Sequence, residues 1–270
     1  DKYALGKPYI TNLVIKAYQN EKDEVDAYKS GNVESLHSIS PKELPSLQVK
    51  SDEIILSPLP RIFGVFFNQN VAPVLVYKEV RQALNVATDK QAIVDSVLGG
   101  YRNVIDNPVP NINISNTAVD KSSQDELVAK AKAILTKAGW AQNTAGIWQK
   151  KDKKSTVTLS FSISTGDAPE LKETAYLLQK QWKALGAQVD VKIFEIGDLN
   201  QNIIKPRKYD ALLFGEIIGR DSDLYPFWHS SQRNTPGLNI ARYANIKADK
   251  ILANIRKTSD ASEQQTLFDS

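Results

Sequence analysis

The stretch Gly215-Glu216-Ile217-Ile218-Gly219-Arg220-Asp221-Ser222-Asp223-Leu224-Tyr225-Pro226-Phe227-Trp228-His229 concentrates charge, aromatic rings and flexible glycine in one place. Glu216, Arg220, Asp221 and Asp223 suit charge-assisted hydrogen bonds to a small molecule, and Trp228 suits aromatic contact with it. The stretch follows Tyr209-Asp210-Ala211-Leu212-Leu213-Phe214, a nearly continuous apolar run of the kind an interior strand carries. It therefore leaves the carboxyl end of a buried strand, where open α/β folds hold their ligands. A plainer account competes with this one: Asp221 and Asp223 make turn hydrogen bonds while Phe227 and Trp228 return to the core.

Reaction chemistry has less support than binding. His229 with Glu216 or Asp221 has the residue types for acid–base work in a cleft. The chain has only two His, however, and lacks a Gly-x-Ser-x-Gly elbow, a His-Glu-x-x-His pair and a phosphate-cradling loop. No nucleophile, base and orienter come as a set, so no catalytic residue is assigned. His37 and His229 lack metal-ligand spacing, and Asp221-Ser222-Asp223 is far from a complete calcium loop. No metal and no cofactor is expected.

The elements that must position this stretch follow from periodicity. Val157, Leu159, Phe161 and Ile163 alternate with polar residues as a half-buried strand. Pro169 then opens a helix with Leu171, Ala175, Leu178, Trp182 and Leu185 on one stripe, Gly186 ends it, and Val189, Val191 and Ile193 form the next strand. Strand, helix, strand is a βαβ unit, and the Tyr209–Phe214 run is expected in the same sheet. Upstream, Val80, Ala83, Leu84 and Ala87 share a helical face, and Thr88-Asp89-Lys90-Gln91 has a capping-box pattern that opens a second helix. Ser123-Gln124-Asp125-Glu126 is another capping box, before a helix with Leu127, Val128, Ala131, Ile134, Leu135 and Ala138 inward. Arg61–Asn68 and Ile10–Ala17 read as strands, Glu21–Ser30 as a short helix, and two last helices are expected near 248–257 and from Asp260. Prolines 41, 45, 58 and 60 punctuate the chain before a domain boundary near residues 57–70.

Composition bounds the answer. The 270 residues are 41% hydrophobic and 24% charged, which excludes disorder and coiled coil. The net charge of +3 comes from mixed signs and carries no nucleic-acid footprint. No run is long and apolar enough for a transmembrane helix, and the absence of Cys excludes disulfides and thiolate chemistry. The sequence also has no Met, not even an initiator, so the chain is expected to be a piece of something longer.

Several segments resemble one family in order along the chain. Val80-Arg81-Gln82-Ala83-Leu84-Asn85-Val86-Ala87-Thr88-Asp89-Lys90-Gln91-Ala92-Ile93-Val94 looks like the "VRQALxxAxDRxxIV" segment of the family 5 extracellular solute-binding proteins, the oligopeptide, dipeptide and nickel-binding partners of ABC importers. Tyr3–Ile10 resembles the family's "YxLGKPYL", Ser30–Glu34 its "SGEVD", Ala131–Trp140 its "AKxLLxEAGY" and Lys208–Ala211 its "xYDA". Phe66-Phe67-Asn68 sits where the family has "YLxFN", which adds Asn68 to the candidate ligand contacts. Tyr243–Leu252 is similar to "YSNPxVDxLL".

The resemblance implies an α/β, periplasmic-binding-protein-like type II fold, with 1–64 a fragment of the first lobe and 65–270 most of the second. It implies a non-enzymatic, monomeric, extracytoplasmic protein that takes a small peptide or other small solute and passes it to an ABC permease. The alternatives are a cleft enzyme using Glu216, Asp221 and His229, and a surface interaction module that kept the fold. One departure stands out. Where the family's peptide binders have "GWxAD", with its Asp on the ligand's amino group, this chain has Gly215-Glu216-Ile217-Ile218-Gly219. Asp221 or Glu216 would then supply the anion facing a cationic ligand.

Overall fold

The computed structural model describes residues 6, 9–47, 54–55, 61–108, 122–152, 155–217 and 223–270. The chain divides into two compact units, Asp1–Ser57 and Pro58–Ser270. The division falls a few residues before the expected 64/65 boundary, because residues 61–64 belong to a strand in the second unit's sheet.

In the first unit, helix α1 spans Glu21–Lys29 and is capped by Asn20, whose side chain accepts from the Asp23 N–H. Glu21, Asp23 and Glu24 in its first turn and Lys29 in its last complement the helix dipole. A short helix, α2, spans Leu44–Leu47. The expected strand Ile10–Ala17 is not one: the segment forms no ladder among the described residues, and Ile10, Leu13, Val14 and Ile15 stand exposed. β-Branched residues such as Ile10, Val14 and Ile15 favour extended backbone, but a strand also needs a neighbour for its N–H and C=O groups.

The second unit opens with β1 (Arg61–Phe67), a 3-10 turn at Pro73–Val76, and helices α3 (Lys78–Val86), α4 (Lys90–Leu98) and α5 (Gln124–Lys137). The α5 capping box forms as expected, Ser123 Oγ accepting from the Glu126 N–H and Glu126 accepting from the Ser123 N–H. The α4 cap differs by one residue. Asp89 accepts from the Ala92 N–H, while the Thr88 hydroxyl turns back to donate to the Leu84 carbonyl. Three short strands follow, β2 (Ala141–Gln142), β3 (Trp148–Lys151) and β4 (Thr156–Thr158), in a separate antiparallel sheet. Then come β5 (Ser160–Gly166), α6 (Pro169–Leu185), β6 (Gln188–Phe194), α7 (Ile196–Asp198) running into a π-helical turn at Leu199–Ile204, and β7 (Ala211–Ile217). The chain closes with α8 (Tyr225–Trp228), a 3-10 turn at Ser230–Gln232, α9 (Ile246–Ile255) and α10 (Ala261–Asp269).

The main sheet has the order β1-β7-β5-β6, with β5 parallel to β6 and β7 and with β1 antiparallel to β7. The run Val157–Ile163, expected as one strand, is split at Leu159. Thr156–Thr158 pairs with β3, whereas Ser160 onward pairs with β6. Both faces of the main sheet are covered. On one, Phe161, Ile163 and Leu213 meet Val80, Leu84, Leu135, Leu178 and Trp182. On the other, Phe66 and Leu212 meet Leu199, Ile204, Tyr209 and Ile240, and a third cluster gathers Ile62, Leu224 and Leu252.

Candidate functional site

The three parallel strands all end at one edge, at Gly166, Phe194 and Ile217, and antiparallel β1 begins there with Arg61 opposite Ile217. This carboxyl edge is where an α/β sheet presents ligand-binding groups. The strand reaches further than expected: Gly215 and Glu216 lie inside β7 rather than in the loop after it. Gly215 is bare for a packing reason, since a Cβ there would stand 2.7 Å from Cε1 of Phe63.

Glu216 is the unusual residue of this edge. It shares its face of β7 with Leu212 and Phe214 and lies opposite Ile62, so a carboxyl group sits between two apolar clusters. It is 7% exposed, and its Oε2 is sealed with no hydrogen-bond partner. Burial pushes its pKa up to about 8, against a smaller downward pull from the Arg207 guanidinium. Trp228 packs on the same two clusters, meets Tyr243 edge to face at 6.3 Å between ring centroids, and has its indole N–H sealed without a partner.

Asp223 is committed elsewhere. Arg256 donates to it through Nε at 3.0 Å and Nη2 at 2.6 Å, and the Tyr225 N–H adds a bond at 3.2 Å, which joins the start of α8 to the end of α9. The Arg256 hydrogen bond holds the Asp223 carboxyl below the usual carboxylate range. This is the turn-bonding role weighed against a ligand role for that residue. Arg220 and Asp221 lie outside the described residues.

His229 stacks on Tyr225 at 4.1 Å, its Nδ1 lies 2.8 Å from Ser231 Oγ, and its Nε2 is 4.0 Å from Asp249. Asp249 in turn takes both the N–H and the hydroxyl of Ser230. These contacts fold the chain after α8 onto α9, and Glu216 is not among them. Among the described residues, no three His, Asp or Glu side chains converge as a metal site, and no helix is long and apolar enough to cross a membrane.

Residues 1–237 match the family described as bacterial extracellular solute-binding proteins, family 5 Middle. The chain belongs to family 5 of the bacterial extracellular solute-binding proteins. It is 28% identical over 270 residues to the oligopeptide-binding protein AppA of Bacillus subtilis (strain 168), covering 97% of this chain and 48% of that protein. It is 24% identical over 264 residues to the di/tripeptide-binding protein 3 of Pseudomonas aeruginosa (strain UCBPP-PA14), covering 96% and 46%. The solved structure of Bacillus subtilis AppA in complex with a nonapeptide superposes with a TM-score of 0.74, over 92% of this chain and 49% of that one, at 24% identity. NikZ from Campylobacter jejuni in complex with Ni(L-His) superposes with a TM-score of 0.72 over the same shares, also at 24% identity. This family 5 chain thus has the type II binding-protein-like α/β fold and spans about half the length of the relatives it matches. The family and these relatives are binding proteins rather than enzymes.

Within this family 5 chain, Asn68 stands apart from the other candidates. It follows the last residue of β1, while Glu216 faces Ile62 near the first, a separation of roughly 20 Å at about 3.3 Å per residue. Asn68 is fully buried: its Nδ2 donates to the Arg207 carbonyl at 2.9 Å, its Oδ1 accepts from the Asn70 N–H at 3.1 Å, and its own N–H donates to the Asp210 carbonyl. We expect Asn68→Ala to cost about 1–3 kcal/mol of stability by leaving these buried groups unmet, and to leave the affinity of the full-length protein for any solute unchanged. Denaturant midpoints and a binding isotherm on the same variant check both halves of that expectation.

Two residues of the site region were not anticipated. Arg207, in a left-handed backbone conformation at φ 58°, is buried and gives its guanidinium to the carbonyls of Ile204, Arg233 and Gly237. Asn239, fully buried, donates to the carbonyls of Trp228, His229 and Tyr243 and accepts from the Tyr243 N–H. Each side chain joins nearby backbone to backbone 10 to 30 positions away, and the Lys205-Pro206-Arg207-Lys208 run has no apolar period to mark its arginine as buried.

Proposed function

We propose that this chain is part of a solute-binding protein of an ABC importer, with peptides the first class of solute, which works outside the cytoplasm and hands its ligand to a membrane permease. On this reading Pro58–Ser270 is most of the second lobe, Asp1–Ser57 belongs to the first, and the protein is a monomer without catalytic activity. The observation that carries it is the family match along residues 1–237, taken with relatives named for oligopeptides and for di- and tripeptides. The carboxyl edge with Glu216 and Trp228 supplies polar and aromatic groups where the fold class places ligands. Relatives named for nickel favour a second cargo.

The test is a thermal-shift screen of the full-length protein against peptides, sugars and nickel with or without free histidine. A true ligand raises the apparent stability by RT ln(1 + [L]/Kd), so ligand at about 100 times its Kd contributes about 2.7 kcal/mol. A rise with peptides alone is the expected result. A rise with nickel and histidine but not with peptides overturns the peptide assignment and keeps the family role.

A further inference from the structure

Among the described residues, only three buried side-chain atoms lack a hydrogen-bond partner, and two of them are Glu216 Oε2 and Trp228 Nε1. The third, Gln124 Oε1, belongs to a residue whose amide nitrogen already donates to the Ala87 carbonyl. The chain has four tryptophans, and the other three indole N–H groups are all satisfied internally. Trp140 donates to Glu79, Trp148 to the Leu185 carbonyl, and Trp182 to the Leu84 carbonyl and the Thr88 hydroxyl. A fold that partners three indoles and leaves the fourth unmet, with an unmet carboxyl oxygen among the same apolar clusters, calls for an explanation there.

The two residues lie in one neighbourhood. Trp228 packs on the cluster containing Leu212 and Phe214 and on the cluster containing Ile62, while Glu216 shares the β7 face of Leu212 and Phe214 and stands opposite Ile62. Neither residue is entirely enclosed, since Glu216 keeps 7% of its surface open and Trp228 is half-buried. Presenting the two sealed polar atoms to a solute then requires a change of side-chain rotamer at each residue.

We propose that Glu216 and Trp228 form one subsite for a neutral amide group of the solute, whose carbonyl accepts from the indole N–H and whose N–H donates to the carboxyl oxygen. A peptide amide is planar and points its one acceptor and its one donor to opposite sides, which suits a group held between one orphaned donor and one orphaned acceptor. An ammonium group has donors alone and leaves the indole unmet, so the subsite discriminates against it. The match holds in either protonation state of Glu216, because a carboxylic acid keeps an oxygen that accepts. This inference rests on the solute-binding reading and narrows it, from an anion facing a cation to a pair facing an amide.

The experiment uses the full-length protein, with its tryptophan indoles labelled with nitrogen-15, and two probes. One is a synthetic pool of random tetrapeptides with free termini, and the other is the same pool with acetylated amino and amidated carboxyl termini. The expected result is that both pools raise the melting temperature and move the indole resonance that Trp228→Phe removes, while the resonances of Trp140, Trp148 and Trp182, each assigned by its own Phe variant, hold still. Glu216→Gln, which keeps a donor and an acceptor, should bind both pools within about threefold of the parent. Glu216→Leu and Trp228→Phe should each lose about tenfold, the size of effect expected from one hydrogen bond. Glu216→Leu removes a buried polar group, so its unliganded melting temperature should be at least that of the parent, which separates lost binding from lost folding.

The proposal is overturned if only the free-terminus pool binds and Glu216→Gln fails as badly as Glu216→Leu, which is the signature of an ion pair. It is equally overturned if the pools stabilise the protein without moving the Trp228 resonance. If neither pool stabilises the parent protein, the peptide reading fails and takes this subsite with it. The parent's own response thus tells the two failures apart.

Discussion

Trp182→Ala should cost about 3–5 kcal/mol, the range for truncating a large buried aromatic. Trp182 is 2% exposed on α6, with its ring 5.7 Å from Phe161 and 6.2 Å from Phe67 by centroid, so it packs on two strands of the main sheet at once. Its indole N–H reaches the Leu84 carbonyl at 3.0 Å and the Thr88 hydroxyl at 2.9 Å, which ties α6 to the end of α3. Truncation removes the ring, opens a cavity and breaks that tie. Trp182→Phe retains most of the volume and loses the hydrogen bonds, for about 0.5–1.5 kcal/mol, so the difference between the two variants isolates packing from bonding. Guanidinium unfolding of the full-length protein, followed through the second unit, measures both. Equal costs for the two variants would mean that the bonds to α3, not the ring, hold this layer. Trp182 lies in the cluster on the face of the sheet opposite Glu216, so ligand affinity at native temperatures should not move.

The inward stripe of α6 that carries Trp182 is legible in the sequence because its signal is local. Pro169 opens the helix at a position needing no N–H donor, Leu178, Trp182 and Leu185 repeat at helical spacing, and Gly186 takes the left-handed φ of 104° that closes it. The Ser123–Glu126 capping box is legible for the same reason. What escaped depends on distant partners. Nothing within Val157–Ile163 says that its first half pairs with β3 and its second half with β6, since alternation is identical on both sides of Leu159. Ile10–Ala17 has the β-branched residues of a strand and no ladder among the described residues, because pairing is a property of two segments. At the site, the composition after Phe214 draws attention to Glu216 and Trp228, and the structure leaves one polar atom of each without a partner. The composition does not show that Asp223 pairs with Arg256, 33 positions away, and the resemblance that adds Asn68 does not show that the register of β1 on β7 carries it to the other end of the strand pair from Glu216.

Glu216 should also make stability fall between pH 4.5 and 8, and Glu216→Gln should remove that fall. An acid whose pKa rises from 4.5 in the unfolded chain to about 8 in the folded one holds its proton more tightly when folded. Between pH 4.5 and 8 the folded state holds the Glu216 proton more than the unfolded state does, so this residue's contribution is fully present below pH 4.5, falls across that window and levels off above pH 8. At about 1.36 kcal/mol per pKa unit, the loss is on the order of 3–5 kcal/mol. Burial drives the shift and Arg207 opposes it. Tyr209 is the other titratable group in electrical contact with Glu216, and burial pushes it up to about 12, so it stays neutral throughout. The carboxamide of Glu216→Gln does not titrate, so parent and variant should differ little at pH 4.5 and diverge steadily up to pH 8, with the variant the more stable. Denaturant midpoints of both full-length proteins at pH 4.5, 6 and 8.5 read this directly. A parent curve parallel to the variant's across the window would mean that Arg207 keeps Glu216 ionised in the fold, and the carboxyl would then be a charged member of the site rather than a neutral one.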